Sequence, residues 1–390
     1  MKRCLHYVLL ATVLLGTPLL CCWLGGYDEI LAGLRQFPPR TEDWGFHPEK
    51  LWNVRRPFSW PWFLGMCAFT FVCLFPLFRR GLRTLCAERR LPCAGRRMSG
   101  ARHAFPWFGW TGLAIIAVSW VLAWSRFAWF RPYQPHTYFP LWLGLILTLN
   151  AVAVRRSGRS PLTDHPFVYL LTFPVSSLFW WFFEYLNRYV WNWYYLGVSD
   201  MSAVEYGAYG TLCFSTVLPG VMAMAAVLGT FRFFDDRNYE NMSWRPDVRS
   251  PVSRLSLFVL AALGLTGIVF FPECAYPLLW ISPLMVFVLM QVFLKEPCIL
   301  ERLKAGSWGL VFRFEIAALF CGFFWETWNF YSYAKWVYAV PFVHGFQVWE
   351  MPLIGFAGYL PFGVECAAVT YWLYDAFGLN AEPGSGGEIA

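Results

Sequence analysis

The chain has 390 residues, 58% of them hydrophobic and only 14% charged, with a mean hydropathy of +0.44. A soluble globular domain carries about 25% charged and about 45–50% apolar residues, so the composition excludes an ordinary soluble enzyme and implies a lipid solvent. The net charge of +7 does not indicate nucleic-acid binding, because the basic residues fall in short loops between apolar runs.

A hydrocarbon core of about 30 Å needs roughly 20 apolar residues per helix. In chain order, the sequence predicts about ten such segments: 5–24, 60–78, 111–130, 139–154, 166–183, 207–230, 255–271, 277–294, 308–325 and 351–374. The expected fold class is all-α, a polytopic integral membrane protein. The first segment follows Lys2 and Arg3 like a signal peptide. It lacks a small-x-small cleavage site, and Leu20 before Cys21 argues against lipoprotein processing, so it reads as a retained signal anchor.

Charge bias sets the orientation. With the N-terminus inside, loops 79–110, 155–165, 231–254 and 295–307 are cytoplasmic, including the cluster Arg79, Arg80, Arg83, Arg89, Arg90, Arg96, Arg97 and Arg102. Only Arg35, Arg40, Lys50, Arg55, Arg56, Arg131, Arg188 and Lys335 fall outside, and Arg126 is expected within a helix. Both termini are therefore expected in the cytoplasm, with the protein in the cytoplasmic membrane if the source is bacterial. The Gly-rich tail, 377–390, is expected to be disordered.

A repeat organises the middle of the chain. Phe182-Phe183-Glu184-Tyr185-Leu186-Asn187 matches Phe324-Trp325-Glu326-Thr327-Trp328-Asn329 at an offset of 142 residues. The same offset pairs Tyr189 with Tyr331, Trp191 with Tyr333, Tyr194 with Trp336, and Leu218-Pro219 with Leu360-Pro361. Upstream, Tyr138 and Leu141-Trp142 match Tyr276 and Leu279-Trp280 at an offset of 138. Four crossings per copy give both copies the same orientation, a parallel repeat. The expected organisation is thus two N-terminal helices with an outer loop 25–59 (1–110), a first four-helix unit (111–254) and a second (255–376).

No metal or cofactor is expected. The 12 Cys show no C-x-x-C pair, most lie inside apolar runs, and the 6 His are scattered. The sequence also lacks a phosphate-binding Gly-rich loop, a nucleophile elbow and an H-E-x-x-H motif.

The candidate chemistry lies in carboxyls and aromatics. Glu184 and Asn187, like Glu326 and Asn329, stand at i, i+3 and share a helix face. Either they satisfy backbone groups where the chain turns at the interface, or they act on a ligand. The second copy is richer in acids: Glu315, Glu326, Glu350 and Glu365, with Ala208 and Ala223 matching the last two in the first copy. Glu315 is expected to pair with Arg313. Glu365 lies near the middle of the last predicted helix, where an ionisable group marks function by default. A buried carboxyl that keeps its proton suits general acid catalysis. Glu326 and Glu365 are the candidate acid/base pair and Asn329 an orienting group. Trp325, Trp328, Tyr331, Trp349, Glu350 and Tyr359 are the candidate substrate contacts, since aromatic faces stabilise cations. Glu184 and Asn187 are the repeat counterparts.

The second copy resembles the small membrane-embedded lycopene cyclase domains of bacteria and fungi, which are also duplicated helical units. The likeness rests on Phe323-Phe324-Trp325-Glu326, on Trp349-Glu350-Met351-Pro352, and on the stretch from Gly355 through Pro361 to Glu365. That family carries Pro-x-Glu-Glu or Pro-x-Glu-Asp in the last stretch. Here Gly363 and Val364 stand at the acid positions and Glu365 follows one residue later. The resemblance implies a membrane-buried pocket for a long isoprenoid and acid–base chemistry without a redox cofactor.

The leading expectation is a membrane enzyme acting on a hydrophobic isoprenoid or lipid. The alternatives are a transporter or lipid-handling protein, favoured by Pro219 and Pro361 in corresponding helices, and a non-catalytic membrane scaffold. Orientation is testable at once. Reporter fusions after residue 380 and within 231–254 should read out in the cytoplasm, and one within 25–59 on the far side. A C-terminal fusion reporting from outside would overturn this arrangement.

Overall fold

The computed structural model describes residues 2–34, 36–37, 56–90, 103–246 and 250–379. The remaining parts of loops 25–59 and 79–110, and the tail from residue 380, lie outside the described residues. The described chain is a helical assembly with two short two-stranded sheets. The expected apolar segments coincide largely with helices, although 207–230 is split into two helices at Ser215-Thr216 and 351–374 begins with a short strand and a 3-10 stretch. Eight stretches are long and apolar enough to cross a membrane: Tyr7–Leu24, Trp60–Cys86, Trp107–Trp124, Tyr138–Ser157, Pro166–Val190, Ala203–Gly229, Pro251–Phe270 and Leu353–Ala376. Leu278–Leu294 is shorter, and Gly309–Phe330 carries Arg313, Glu315 and Glu326 within its 22 residues.

Local chemistry sets the helix ends. Helix Tyr138–Ser157 stops at Gly158, whose φ of +79° is easy only for glycine, and Arg155 and Arg156 occupy its last turn. The short helix Pro161–Asp164 is capped by Ser160 and Thr163, which bond reciprocally to each other's backbone N–H, and a proline opens both it and the helix Pro166–Val190. One expected boundary moves. Helix Trp107–Trp124 ends earlier than anticipated, so Arg126 lies beyond it rather than inside. Its guanidinium there donates to the carbonyls of Ala123, Ser125 and Tyr331.

Small residues set the tightest crossings. Helices 107–124 and 138–157 meet at Gly112 and Gly144, where a Cβ on Gly112 would stand 2.6 Å from the Gly144 carbonyl oxygen. Helices 251–270 and 278–294 meet likewise at Gly264 and Ser282, and Ser282 matches Gly144 at the upstream offset of 138. Close backbone approach of this kind is how helices associate without a hydrophobic driving force. The helix Val217–Gly229 packs against 138–157, 166–190 and 309–330, so it bridges earlier and later parts of the chain. Trp142, fully buried, packs 5.0 Å from Trp325 across the same boundary.

Both Leu-Pro segments follow a break. Helix Ala203–Phe214 stops, Ser215 and Thr216 intervene, and Val217–Gly229 begins two residues before Pro219. In the later segment a 3-10 stretch Leu353–Gly358 precedes helix Tyr359–Ala376, which again begins two residues before its proline, Pro361. Pro is well placed in a first turn, where its missing N–H has no intrahelical acceptor to lose.

The basic loops gather at one end. Arg80 donates to the carbonyl of Asn238 at 2.9 Å, and Arg313 reaches Asp236 at 3.3 Å. Asp235 accepts from Arg237, and this hydrogen-bonded guanidinium holds its carboxyl below the usual carboxylate range. Glu315 does not pair with Arg313 as expected. Positions two apart face different sides of a helix, and the Glu315 Oε2 is buried with no hydrogen-bond partner among the described residues.

The Gly112 crossing gives a direct test. Gly112→Leu should drive helices 107–124 and 138–157 apart and destabilise the protein by about 1–3 kcal/mol, read as a lowered melting temperature in detergent. An unchanged melting temperature would refute the close crossing.

Candidate functional site

The site is assembled where helices 166–190 and 309–330 end. Beyond each, the chain turns back as a strand: β1, Trp193–Leu196, and β2, Lys335–Tyr338. Such a turn leaves backbone N–H and C=O groups that are costly to bury unpaired. An asparagine amide satisfies them. Asn187 donates through Nδ2 to the Trp193 carbonyl at 2.8 Å and accepts the Asn192 N–H at 2.8 Å. Asn329 donates to the Trp336 carbonyl at 2.7 Å and accepts the Trp336 N–H at 2.8 Å. The orienting role expected of Asn329 is thus exerted on the chain, and Asn187 does the same.

These bonds correct the sequence alignment. Trp193, not Tyr194, stands opposite the role of Trp336, and Tyr195 opposite Tyr338, so the offset is 143 in the strands and 142 in the helices. The second connection holds one extra residue. In the first, Trp191 takes a left-handed φ of +52° to close the shorter turn.

The strands pair antiparallel, with Trp193 opposite Tyr338, Tyr194 opposite Val337, Tyr195 opposite Trp336 and Leu196 opposite Lys335. Tyr194 and Val337 are themselves equivalent at the 143 offset. The ladder is therefore centred on the point where each strand meets its own counterpart.

The carboxyls sit behind this ladder. Glu184 Oε1 accepts from Trp180 Nε1 at 3.1 Å, Trp193 Nε1 at 2.9 Å and the Tyr195 hydroxyl at 2.6 Å. Glu326, fully buried, accepts at Oε1 from the hydroxyls of Tyr338 at 2.6 Å and Tyr359 at 2.8 Å. Trp336 Nε1 donates to the Tyr338 oxygen at 2.7 Å. Burial, followed by the neighbouring carboxylate, raises the phenols of Tyr195 and Tyr338 well above their ordinary range, so both stay protonated donors at neutral pH. The two centres differ: two indoles and one phenol donate directly to Glu184, only two phenols donate to Glu326, and Glu326 Oε2 is fully buried without a hydrogen-bond partner among the described residues.

These phenols and indoles wall a mostly apolar chamber of about 140 Å³ between the two segments. Equivalent positions line it in pairs: Trp193 and Trp336, Tyr195 and Tyr338, Val217 and Tyr359. Trp180, Trp280, Trp325 and Tyr138 are among the other aromatic residues that line it. A void of this size holds one small ring, as benzene fills a cavity of about 150 Å³. No group of three or more His, Cys, Asp or Glu among the described residues is placed to hold a metal ion.

The expected site residues divide. Trp325 and Tyr359 line the chamber, and Glu326 lies one hydrogen bond behind it. Trp328 is buried in packing against Trp120 and Trp142. Tyr331 is half exposed beneath Arg126, 5.0 Å away. Trp349 packs edge-on against Phe323 rather than on the chamber. Glu350 pairs with Lys335, which does line it. Glu365, expected beside Glu326, is buried six residues farther along helix 359–376 and is not among the lining residues. Sequence reasoning assigned no function to Tyr138, Trp180, Trp280 or Lys335. Trp180 carried a usable signal, one helical turn before Glu184, as did the tyrosines eleven and twelve residues after the two glutamates.

Comparison with protein-family models, curated proteins and solved structures finds no match. Function must therefore be argued from this geometry.

The amide locks predict their own cost. Asn187→Ala and Asn329→Ala each leave buried backbone groups unpaired and should destabilise by about 1–3 kcal/mol. Thermal unfolding would show it, and an Asn329→Ala protein as stable as the parent would contradict the role assigned here.

Proposed function

We propose that the chain is an integral membrane protein that takes a segment of an isoprenoid or other hydrophobic lipid into the chamber and acts on it by acid/base chemistry through Glu326. The helices are the transmembrane spans, about ten in number, arranged as a duplicated four-helix unit, with the basic end and both termini in the cytoplasm. The observation that carries the reading is the contrast between the two carboxyls. Glu184 accepts three donors from the chamber wall, all at Oε1, whereas Glu326 accepts only two phenols at Oε1, and its Oε2 is fully buried without a hydrogen-bond partner among the described residues. The carboxyl with fewer donors to stabilise its anion is the one more readily able to hold a proton.

The phenols supply the path. A protonated Glu326 passes its proton to the Tyr338 or Tyr359 oxygen while that phenol gives its own hydrogen to the ligand in the chamber. The reverse sequence removes a proton. No net charge is left on the tyrosine. A cation formed on the ligand would face Trp325, Trp280 and Trp336, and aromatic faces stabilise cations without attacking them. Cyclisation or double-bond migration of an isoprenoid end is the form of this chemistry that the cyclase resemblance suggests. The chamber accommodates a ring-sized portion while the rest of the chain extends beyond it.

A second reading has its own support. Both segments contribute equivalent residues to the chamber, and both Leu-Pro helices are interrupted at corresponding points. Broken helices at matched positions around a shared site are a pointer to transport or lipid handling.

Lipid and isoprenoid extracts compared by mass spectrometry separate the two. Loss of the protein, Glu326→Gln, and Tyr338→Phe combined with Tyr359→Phe should each accumulate a precursor, with turnover lowered about 10²–10⁴-fold. Glu184→Gln should be much milder. Unchanged profiles would reject the enzyme, and equal damage from Glu184→Gln would reject the one-sided chemistry. Flux in proteoliposomes without any change in the lipid would establish transport instead.

A further inference from the structure

Tyr138 and Trp280 each bring to the chamber wall a hydrogen-bond donor that has no acceptor among the described residues. Tyr138 opens helix 138–157 and is held in place there, because the Tyr209 hydroxyl accepts the backbone N–H groups of Tyr138 at 3.2 Å and Phe139 at 3.4 Å. Its ring stands edge-on to Trp336 at 5.4 Å, and both residues line the chamber. Its phenol interacts electrostatically with Cys213 and Tyr209 of the first segment and with Glu326 and Tyr359 of the second, so it reaches between them. Trp142, one turn along the helix, does not take up its hydrogen. The Trp142 Nε1 is itself buried without a hydrogen-bond partner among the described residues, and an indole N–H can only donate. Trp280 lines the chamber beside Gly358, where an added Cβ would stand 3.5 Å from the indole Nε1. The repeat counterpart of Tyr138 is Tyr276, and it differs. Its hydroxyl lies 3.7 Å from Met66 Sδ, and it is not among the lining residues.

We propose that the ring-sized portion of the ligand carries a carbonyl oxygen, and that the Tyr138 hydroxyl donates to it. This deepens the chamber reading and rests on it. Donors on a binding wall are solvated by water before a ligand enters, and displacing that water with a group that cannot replace its hydrogen bonds loses affinity. A ring of hydrocarbon alone would leave the Tyr138 and Trp280 donors unpaired in apolar surroundings, which is costly. A carbonyl oxygen accepts through two lone pairs and donates nothing, so it matches a wall whose uncommitted hydrogens belong to a phenol and an indole. A site built to hydrogen-bond a polar group also rejects the analogue that lacks it. The division of labour among the phenols is consistent with this. Tyr338 and Tyr359 commit their hydrogens to Glu326, whereas that of Tyr138 is free to hold the ligand. An oxygen bound at Tyr138 keeps the ring beside Trp336 and close to Tyr359, whose hydroxyl leads to Glu326.

The test uses the full-length protein in detergent and two probes of one shape: 4-decylcyclohexanone, and its isostere with an exocyclic methylene in place of the carbonyl oxygen. Bound probe is measured by mass spectrometry after equilibrium dialysis, and the quantity compared between proteins is the ratio of the two affinities, from which partitioning into detergent cancels. The melting temperature of each variant, taken first, confirms its folding. Tyr138→Phe, which removes only the hydroxyl, should lower the ratio of ketone to methylene affinity about three- to tenfold, as loss of one neutral hydrogen bond allows. It should not weaken binding of the methylene probe. Tyr276→Phe, the same change at the counterpart away from the chamber, should leave the ratio as it is. A ratio that Tyr138→Phe leaves unchanged, or lowers no more than Tyr276→Phe does, overturns the carbonyl assignment. The chamber reading then still stands if Cys213→Trp and Val217→Phe, which fill the chamber, weaken binding of both probes. Binding that neither filling variant reduces places the probes elsewhere and removes the chamber reading itself.

Discussion

Wherever a helix of this protein ends inside the assembly and its chain turns back, backbone amides and carbonyls must find partners or be buried at a cost of a few kcal/mol each. At the two places that matter most, an asparagine amide closes onto a tryptophan of the returning strand, donating to its carbonyl and accepting its N–H or that of its neighbour. The strands so held then complete each other's hydrogen bonds. Everything at the candidate site follows from that arrangement. It fixes Trp193, Tyr195, Trp336 and Tyr338 over the glutamates one helical turn below the asparagines, and it sets the wall of the chamber.

Near-equivalence of the two segments makes their differences informative. The asparagines act alike, and the small-residue crossings and the helix breaks before each Leu-Pro recur. Against that background, Glu326 has fewer donors than Glu184, and Tyr359 stands where the first segment has Val217. On the proposed reading, the acid/base chemistry is concentrated in one segment of a shared scaffold. This is economical in physical terms. Aromatic packing and backbone pairing tolerate repetition, whereas a single proton donor must meet its ligand in one orientation.

The acids of the second segment also show how position along a helix is a poor guide to function. Glu315, Glu326 and Glu365 all lie within helices, and each retains a buried oxygen without a hydrogen-bond partner among the described residues. Only Glu326 is joined to the chamber through hydrogen bonds. Glu365 is a buried ionisable group on a wall-forming helix, yet the residue of that helix that reaches the chamber is Tyr359.

Much was legible without coordinates. Hydropathy placed the apolar segments largely on helices, because a run of some twenty apolar residues has few other ways to satisfy its backbone away from water. Spacing brought Glu184 with Asn187, and Glu326 with Asn329, onto common faces, because helix geometry is fixed. What the sequence left open depended on contacts between distant parts of the chain. The one-residue difference between the two connections could not be seen, because the asparagine bonds, not residue identity, decide which tryptophan is equivalent to which. Pairing of β1 with β2, separated by some 140 residues, is a long-range event that no local pattern encodes. Tertiary packing alone put Tyr138, Trp180, Trp280 and Lys335 on one wall, turned Glu365 and Trp349 away from it, and gave Arg313 to Asp236 instead of Glu315. A side chain's periodicity tells which way it points from its own helix, and only the neighbouring helices decide what it meets there.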